Sequence, residues 1–180
     1  MRASLIAIVS ATVIACGAPS KTSSDLGGMG SGDLAMNGSG VIPSPGTGNG
    51  VDNNFGSVEP NDTPAQATPL GVAAANGVFV WVSGNKTGGA DSSDYFVFQS
   101  SASGGAFTLG QSGICWSGGI TGMTATLWKV ANAQQVTPPI HTWIGSGSCV
   151  KSATGDATLE KSTVYLLGLT ATGGAGTYGA

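Results

Sequence analysis

The chain has 180 residues, only 8% of them charged, and six lysines and arginines against nine aspartates and glutamates give a net charge of −3. In globular proteins about a quarter of all residues are usually charged, so the solubility of this protein must depend on uncharged polar side chains. The sequence contains no basic patch or stripe, which argues against nucleic acid as a partner. One histidine and few acids leave little for acid–base catalysis, so we expect no enzyme activity.

The N-terminal segment is organised like a secretory signal peptide. Met1 and Arg2 give it a positive start, and residues 3–15 form an uncharged, mainly apolar run. As a helix this run would span about 20 Å, which is too short for a hydrocarbon core of about 30 Å. A small residue, Ala15, stands at the expected cleavage position. We therefore predict a signal peptide at residues 1–15 and no transmembrane helix elsewhere.

The sequence Val-Ile-Ala-Cys at residues 13–16 resembles the lipobox of bacterial lipoproteins. The resemblance implies that Cys16 is lipidated, with acyl chains such as palmitate, and that the protein is held on a membrane of the cell envelope. Gly17, directly after the cysteine, resembles the sorting signal that sends such lipoproteins to the outer membrane. A single acyl chain binds only reversibly, so a permanent anchor requires several chains. The alternative is an ordinary signal peptide that contains a cysteine.

Residues 16–55 are rich in glycine and serine with scattered prolines, and their apolar residues mostly occur singly. Such a composition cannot build a core and is typical of a flexible linker. A random coil of this length has a typical reach of about 35 Å. We therefore predict a disordered tether that separates the membrane anchor from a folded domain at residues 56–180.

The remaining chain alternates between short apolar runs and clusters of Gly, Asn, Ser and Thr. The runs are rich in β-branched and aromatic residues, which predicts strands at 78–82, 95–98, 106–109, 124–130, 141–144, 158–159 and 163–169, with a last strand near Tyr178. Residues 64–75 have room for one short helical turn. This pattern is typical of an all-β sandwich or barrel.

Side-chain alternation predicts which residues of these strands face the core. Phe96 and Phe98 share one face of their strand, and Ala125 and Leu127 form a similar inward pair. The strand at 163–169 is apolar on both faces, with Tyr165, Leu167 and Leu169 on one side and Val164 and Leu166 on the other. We expect that strand to be central, because only a central strand is covered on both faces.

Cys115 and Cys149 are the only cysteines besides Cys16. An even pair in an exported protein is interpreted as a disulfide. The alternative is two buried thiols. A metal site that includes His141 is not expected, because no suitable ligand lies near it in the sequence.

The acids are concentrated in two segments, EPNDTPAQA at residues 59–67 and DSSDYFVF at residues 91–98. Together with the later strands and the closing sequence Gly176-Thr177-Tyr178, they resemble the bacterial pre-peptidase C-terminal domain over about residues 57–180. The resemblance implies a jelly-roll-like antiparallel β-sandwich, a domain usually appended to secreted proteases.

Some members of that family bind calcium through the acids of these two segments. The resemblance therefore implies a calcium site formed by Glu59, Asn61, Asp62, Asp91 and Asp94, and calcium prefers such oxygen ligands. This chain differs at Ser57, where calcium-binding relatives have another acid. The alternative is structural, with Asn61 and Asp62 capping turns and Asp94 fixing the start of its strand.

These features favour a membrane-anchored binding or adhesion module, stabilised by calcium, whose partner is an extracellular protein or glycan. The alternatives are a structural envelope lipoprotein without a specific ligand and a carbohydrate-binding module. For the last, Trp116 and Trp143 are the candidate platform, because both lie near the cysteines in the sequence.

Overall fold

The structure is a computed structural model that describes residues 40–46, 54–56, 60–73, 81–87, 92–110, 112–153 and 156–179. Cys16 and most of the predicted tether lie outside this part. Within it the chain forms one turn of 3₁₀ helix, at Pro64–Gln66, and no helix that could cross a membrane. The strands are β1 (Asn54–Gly56), β2 (Thr68–Val72), β3 (Trp81–Lys86), β4 (Ser93–Gln99), β5 (Gly105–Phe107), β6 (Ile114–Ala131), β7 (Gln134–Gln135), β8 (His141–Ile144), β9 (Cys149–Val150), β10 (Ala157–Leu159) and β11 (Val164–Gly179).

Two long strands, β6 and β11, form the centre of the sheet. They pair antiparallel from Tyr165–Lys129 at one end to Gly179–Cys115 at the other. The opposite edge of β11 pairs first with β4 and then with β3, and the opposite edge of β6 pairs with β8 and β9. The predicted central position of the strand at 163–169 is therefore confirmed.

The outer strands add two parallel pairs to this antiparallel arrangement. β1 pairs with β3 and β2 pairs with β4, both in parallel. A separate antiparallel ribbon of β5 and β10 places Phe107 and Leu159 against the core. The fold is an all-β sandwich, as the sequence predicted, with parallel pairing added at two edges.

A glycine-rich bend interrupts the pairing of the two long strands near their middle. The register shifts between Thr172 and Gly173 and again between Gly173 and Gly176. Extra residues of this kind form β-bulges, which bend a strand and change the face on which its side chains lie. In β6 the buried residues accordingly change from even to odd positions, from Ile114, Trp116 and Ile120 to Met123, Ala125 and Leu127.

Both halves of the bent strands contribute to one hydrophobic core. Phe96 and Phe98 are buried on the same side of β4, and Ala125 and Leu127 are fully buried, so both predicted inward pairs are confirmed. Ring stacking continues from Phe98 to Tyr165 and to Phe107, each with 5.7 Å between ring centroids. The sandwich closes because the bend brings the two halves of the sheet over this core.

The predicted disulfide is present between Cys115 on β6 and Cys149 on β9, which lie directly opposite each other. The bond closes a loop with a sequence separation of 34 residues. In the chain-entropy model such a loop stabilises the fold by about 3.8 kcal/mol. It holds the short strand β9 to the end of β6 that lies beyond the bend.

A second apolar cluster lies on the opposite face of β4, β11 and β6. Val97 and Leu166 are fully buried there beneath Ile42 and Ala67. The amide of Ile42 donates to the carbonyl of Ala133 at 2.9 Å, and the amide of Gly71 donates to Pro45 at 2.7 Å. Residues 40–46, which the sequence analysis placed in the tether, therefore lie against the sheet.

The bend makes a specific prediction about two neighbouring glycines. Gly173 has a φ of +94°, and a Cβ there would stand 2.7 Å from the amide nitrogen of Thr121. We expect Gly173→Ala to lower the free energy of unfolding by about 2 kcal/mol or more, because the backbone strain of such a residue costs about 1–3 kcal/mol. Urea denaturation of the variant measures this loss.

Gly174→Ala is the matched control, because its φ is ordinary and its Cβ would meet no atom closer than 3.6 Å. We expect this exposed substitution to change stability by less than about 0.5 kcal/mol. Equal losses in the two variants would contradict the assignment of the strain to position 173.

Candidate functional site

The structure brings the two acidic segments of the sequence into contact. Asn61 is fully buried, and its backbone carbonyl accepts a hydrogen bond from the amide of Tyr95 at 3.0 Å. Its side-chain amide donates to the hydroxyl of Thr68 at 3.5 Å. The first segment is thereby fixed beside the start of β4.

The closing sequence of the chain reaches the same place. Asp94 is buried, and its carboxylate accepts a hydrogen bond from the hydroxyl of Tyr178. Gly84 on β3 makes room for this contact, because a Cβ there would overlap the tyrosine ring. All three segments that carry the family resemblance therefore meet at one junction, which we define by Asn61, Asp94 and Tyr178.

Of the five residues predicted to bind calcium, the junction contains Asn61 and Asp94. Asp62 is exposed beside it, and Glu59 and Asp91 lie outside the described residues. In the part of the chain that is described, no three His, Cys, Asp or Glu residues are grouped closely enough to hold a metal ion. The contacts of Asn61 and Asp94 with Thr68 and Tyr178 agree with the structural alternative, and the full calcium site stays a prediction.

The candidate sugar platform at Trp116 and Trp143 is not formed. The two residues are 7% and 4% exposed and belong to the core. The indole of Trp143 donates to a carboxylate oxygen of Asp156 at 2.9 Å, and His141 packs against the Trp143 ring with 4.6 Å between centroids. Neither indole has a free face on which a ligand could stack.

Asp156, which the sequence analysis did not single out, fixes the segment around Trp143. Its carboxylate accepts hydrogen bonds from the Trp143 indole and, at 2.7 Å, from the amide of Ala153. These two bonds lower the pKa of Asp156 below its ordinary value of 3.8. They favour the ionised carboxylate, because each donor is directed at a charge that protonation would remove.

Another surface is a better candidate for binding. On the outward face of β4, β11, β6 and β8, cross-strand register places side chains in rows. One row consists of Ser93, Thr170, Thr124 and Ile144, and the next of Tyr95, Gly168, Thr126 and Thr142. We call these two rows, together with Trp128 beside them, the outer face.

An aromatic pair, Tyr95 and Trp128, lies where the outer face borders the second apolar cluster. The ring centroids are 6.4 Å apart, and both residues are half-buried. Between them lies Gly168, where a Cβ would stand 2.9 Å from an atom of each ring. The glycine therefore lets both rings lean over the central strand. Burial raises the pKa of the Tyr95 hydroxyl above its ordinary value of 10.0, because it disfavours the charged form.

Hydroxyl groups lie on the side of the aromatic pair that faces away from the second apolar cluster. Ser93 and Thr170 are hydrogen-bonded at 3.1 Å, and the hydroxyls of Thr142 and Thr126 are 3.5 Å apart. Thr142 and Thr170 are exposed, and Ile144 is 80% exposed at the end of its row. The sequence contained a signal for this surface, since Trp128 must face away from a core that contains Leu127.

The sequence of the chain matches no model of a known protein family and no curated protein.

The contacts of Asp156 predict an acid-sensitive contribution to stability. Since its pKa is lower in the folded protein, this contribution is complete at pH values above the ordinary pKa of 3.8 and is lost as the pH falls through the folded pKa. We expect the melting temperature of Asp156→Asn to fall less steeply than that of the unmodified protein below about pH 4. A series of thermal melts from neutral to acidic pH measures both slopes.

Asp62→Asn, with the whole series measured in chelator, is the control, because Asp62 is an exposed aspartate in a different part of the fold. We expect its melting temperature to follow that of the unmodified protein. If Asp156→Asn also followed it, the Trp143 and Ala153 contacts would not be the source of the acid sensitivity.

Proposed function

We propose that this protein is an exported lipoprotein in which acyl chains on Cys16 anchor a β-sandwich binding module to the cell envelope, at the outer membrane. The support comes from the signal-peptide pattern of residues 1–15, the lipobox-like sequence that ends at Cys16, and Gly17 after it. The glycine-rich segment that follows would separate the membrane from the domain.

The binding function is carried by one observation, the aromatic pair within the hydroxyl-bearing outer face. Tyrosine and tryptophan offer large contact areas with few rotatable bonds and are enriched where proteins bind partners. Here they are half-buried while the other aromatic residues near them, such as Phe96 and Trp143, are in the core. A surface of this kind suits adhesion to an extracellular polymer, and no catalytic role is proposed for it.

The domain itself is proposed to be related to the pre-peptidase C-terminal domain. The support is that three separated segments of the resemblance meet at Asn61, Asp94 and Tyr178. The second candidate function is a structural envelope lipoprotein with no specific ligand. It is favoured by Trp116 and Trp143, whose burial removes one candidate binding surface.

Calcium binding by Glu59, Asn61, Asp62, Asp91 and Asp94 is proposed as a stabilising feature of this domain. Asp94 supports the proposal, because it is a carboxylate that is only 3% exposed in a chain with few charges. Among the described residues the one buried cationic side chain is Lys86 on β3, which pairs with β11 as β4 does. Charge balance by Lys86 is the alternative to a bound ion.

Replacement of Cys16 tests the anchor. We expect Cys16→Ser to move the protein from the membrane fraction to the soluble fraction, because each lost methylene contact removes about 0.8 kcal/mol of membrane affinity. Fractionation of cells that express the full chain, followed by detection of the protein, measures the shift. The double variant Cys115→Ser and Cys149→Ser keeps Cys16 and should remain in the membrane fraction. Unchanged fractionation of Cys16→Ser would contradict the lipid anchor.

A comparison of Asp94→Asn with Tyr178→Phe tests calcium. If calcium binds here, millimolar calcium should raise the melting temperature of the unmodified protein over that in chelator, since a ligand at 100 times its Kd adds about 2.7 kcal/mol. Tyr178→Phe removes the hydroxyl and keeps the carboxylate, so the calcium response should persist. Asp94→Asn should abolish it. Identical melting with calcium and with chelator in the unmodified protein would contradict the site.

A further inference from the structure

We propose that the outer face binds an uncharged polysaccharide, with a sugar ring stacked on the aromatic pair of Tyr95 and Trp128. This inference rests on the proposed function, because it names the ligand class for the same surface. It assigns the role of sugar platform to residues on the outside of the sheet instead of Trp116 and Trp143.

The first argument is the arrangement of the hydroxyl groups. Neighbouring strands lie about 4.8 Å apart, and residues on one face of a strand repeat at about 6.7 Å. The sheet therefore holds the hydroxyls of Thr124, Thr126, Thr142 and Thr170 in a regular lattice with spacings close to the size of a sugar ring. Each hydroxyl can donate one hydrogen bond and accept two, as a sugar hydroxyl can.

The second argument is the aromatic pair. A pyranose ring has a face of C–H groups, which packs on an aromatic ring, and a rim of hydroxyls, which needs polar partners. Tyr95 and Trp128 supply the aromatic surface, and the tyrosine hydroxyl adds one polar group at its edge. Because Gly168 has no Cβ, the two rings can lie close to the backbone of the central strand.

The third argument is charge. No residue of the two rows is ionisable at neutral pH, since they consist of Ser, Thr, Ile, Gly and Tyr. A charged polymer requires opposite charges on the surface that binds it, so an uncharged polymer fits this surface better. Lys129 of β6, which forms an ion pair with Glu160, is on the side of the strand that bears Leu127 and not on the outer face.

The composition also favours a glycan over a protein partner. Residues that dominate protein–protein binding are seldom serine or threonine, and protein interfaces have an apolar centre. On the outer face the apolar residues are the aromatic pair, at the border with the second apolar cluster, and Ile144 at the end of its row, and the remaining side chains bear hydroxyls. Residues 40–46 cover Val97 and Leu166 but leave Thr142 and Thr170 exposed. The exposed part is thus the part rich in hydroxyls.

The test uses the lipidated full chain in detergent, mixed with insoluble cellulose, chitin and curdlan, which are uncharged. Alginate beads, heparin beads and gelatin beads serve as charged-glycan and protein comparators. We expect the protein to be depleted from the supernatant by at least one uncharged glycan, and at least tenfold less at equal bead concentration by the three comparators. Depletion isotherms give the affinity for each probe.

Variants connect the binding to the outer face. Trp128→Ala removes half of the aromatic pair, and we expect at least a tenfold loss of affinity for the glycan that binds. Because Trp128 also contacts the second apolar cluster, the double variant Thr142→Val and Thr170→Val provides an independent test at two exposed positions. It removes two hydroxyls with little change in shape and should weaken binding at least fivefold. Trp116→Phe, a buried core change, should leave the affinity unchanged.

The outcomes separate this inference from the proposed function. Binding to gelatin, alginate or heparin alone, lost in Trp128→Ala, would overturn the glycan assignment and leave the proposed binding module intact. No binding to any of the six probes would overturn both the glycan assignment and the adhesion role. Glycan binding that survives both the Trp128 and the threonine variants would overturn the assignment of the outer face.

Discussion

The backbone pairing of β6 with β11 is the interaction on which the other strands depend. These two strands are far apart in the sequence, yet each supplies an edge on which further strands assemble, β4 and β3 on one and β8 and β9 on the other. Their register also decides what faces outward, because a slip by one residue exchanges the two faces of a strand. With Leu167 opposite Leu127, Gly168 and Trp128 must lie on the other side.

The sequence predicted the strands well where the alternation of buried and exposed residues is strong. It did not predict that β6 and β11 each continue through a glycine-rich segment as one long strand. Phe96 with Phe98 and Ala125 with Leu127 were assigned correctly because period-two burial is a local pattern. The glycines at 118, 119, 173 and 174 favoured turns between separate strands, whereas they lie within β6 and β11. A glycine bend inside a strand and a turn that reverses the chain have the same local composition, and only pairing with a distant strand distinguishes them.

The candidate site shows the same division. Proximity to the cysteines favoured Trp116 and Trp143, but strand phase places Trp116 inward, and the contact with Asp156 holds Trp143 in the core. Trp128 could have been found, since the inward assignment of Leu127 already required it to face outward. Ile42 could not, because two apolar residues, Val41 and Ile42, among glycines and prolines give no local signal that a distant sheet face needs covering. Its burial depends on contact with Val97 and Leu166, which lie on a distant part of the chain.

The acidic junction and the outer face are connected through one strand. The carbonyl of Asn61 accepts a hydrogen bond from the amide of Tyr95. Asp94, which precedes Tyr95 in β4, accepts a hydrogen bond from the hydroxyl of Tyr178. The junction therefore fixes the start of β4 from both sides, and the side chain that alternates outward at this point is Tyr95. The hydrogen bonds of the junction therefore also fix the backbone position of Tyr95, one member of the aromatic pair. A change that loosened the junction would therefore shift the aromatic pair through the backbone of Tyr95, whose amide bonds to Asn61.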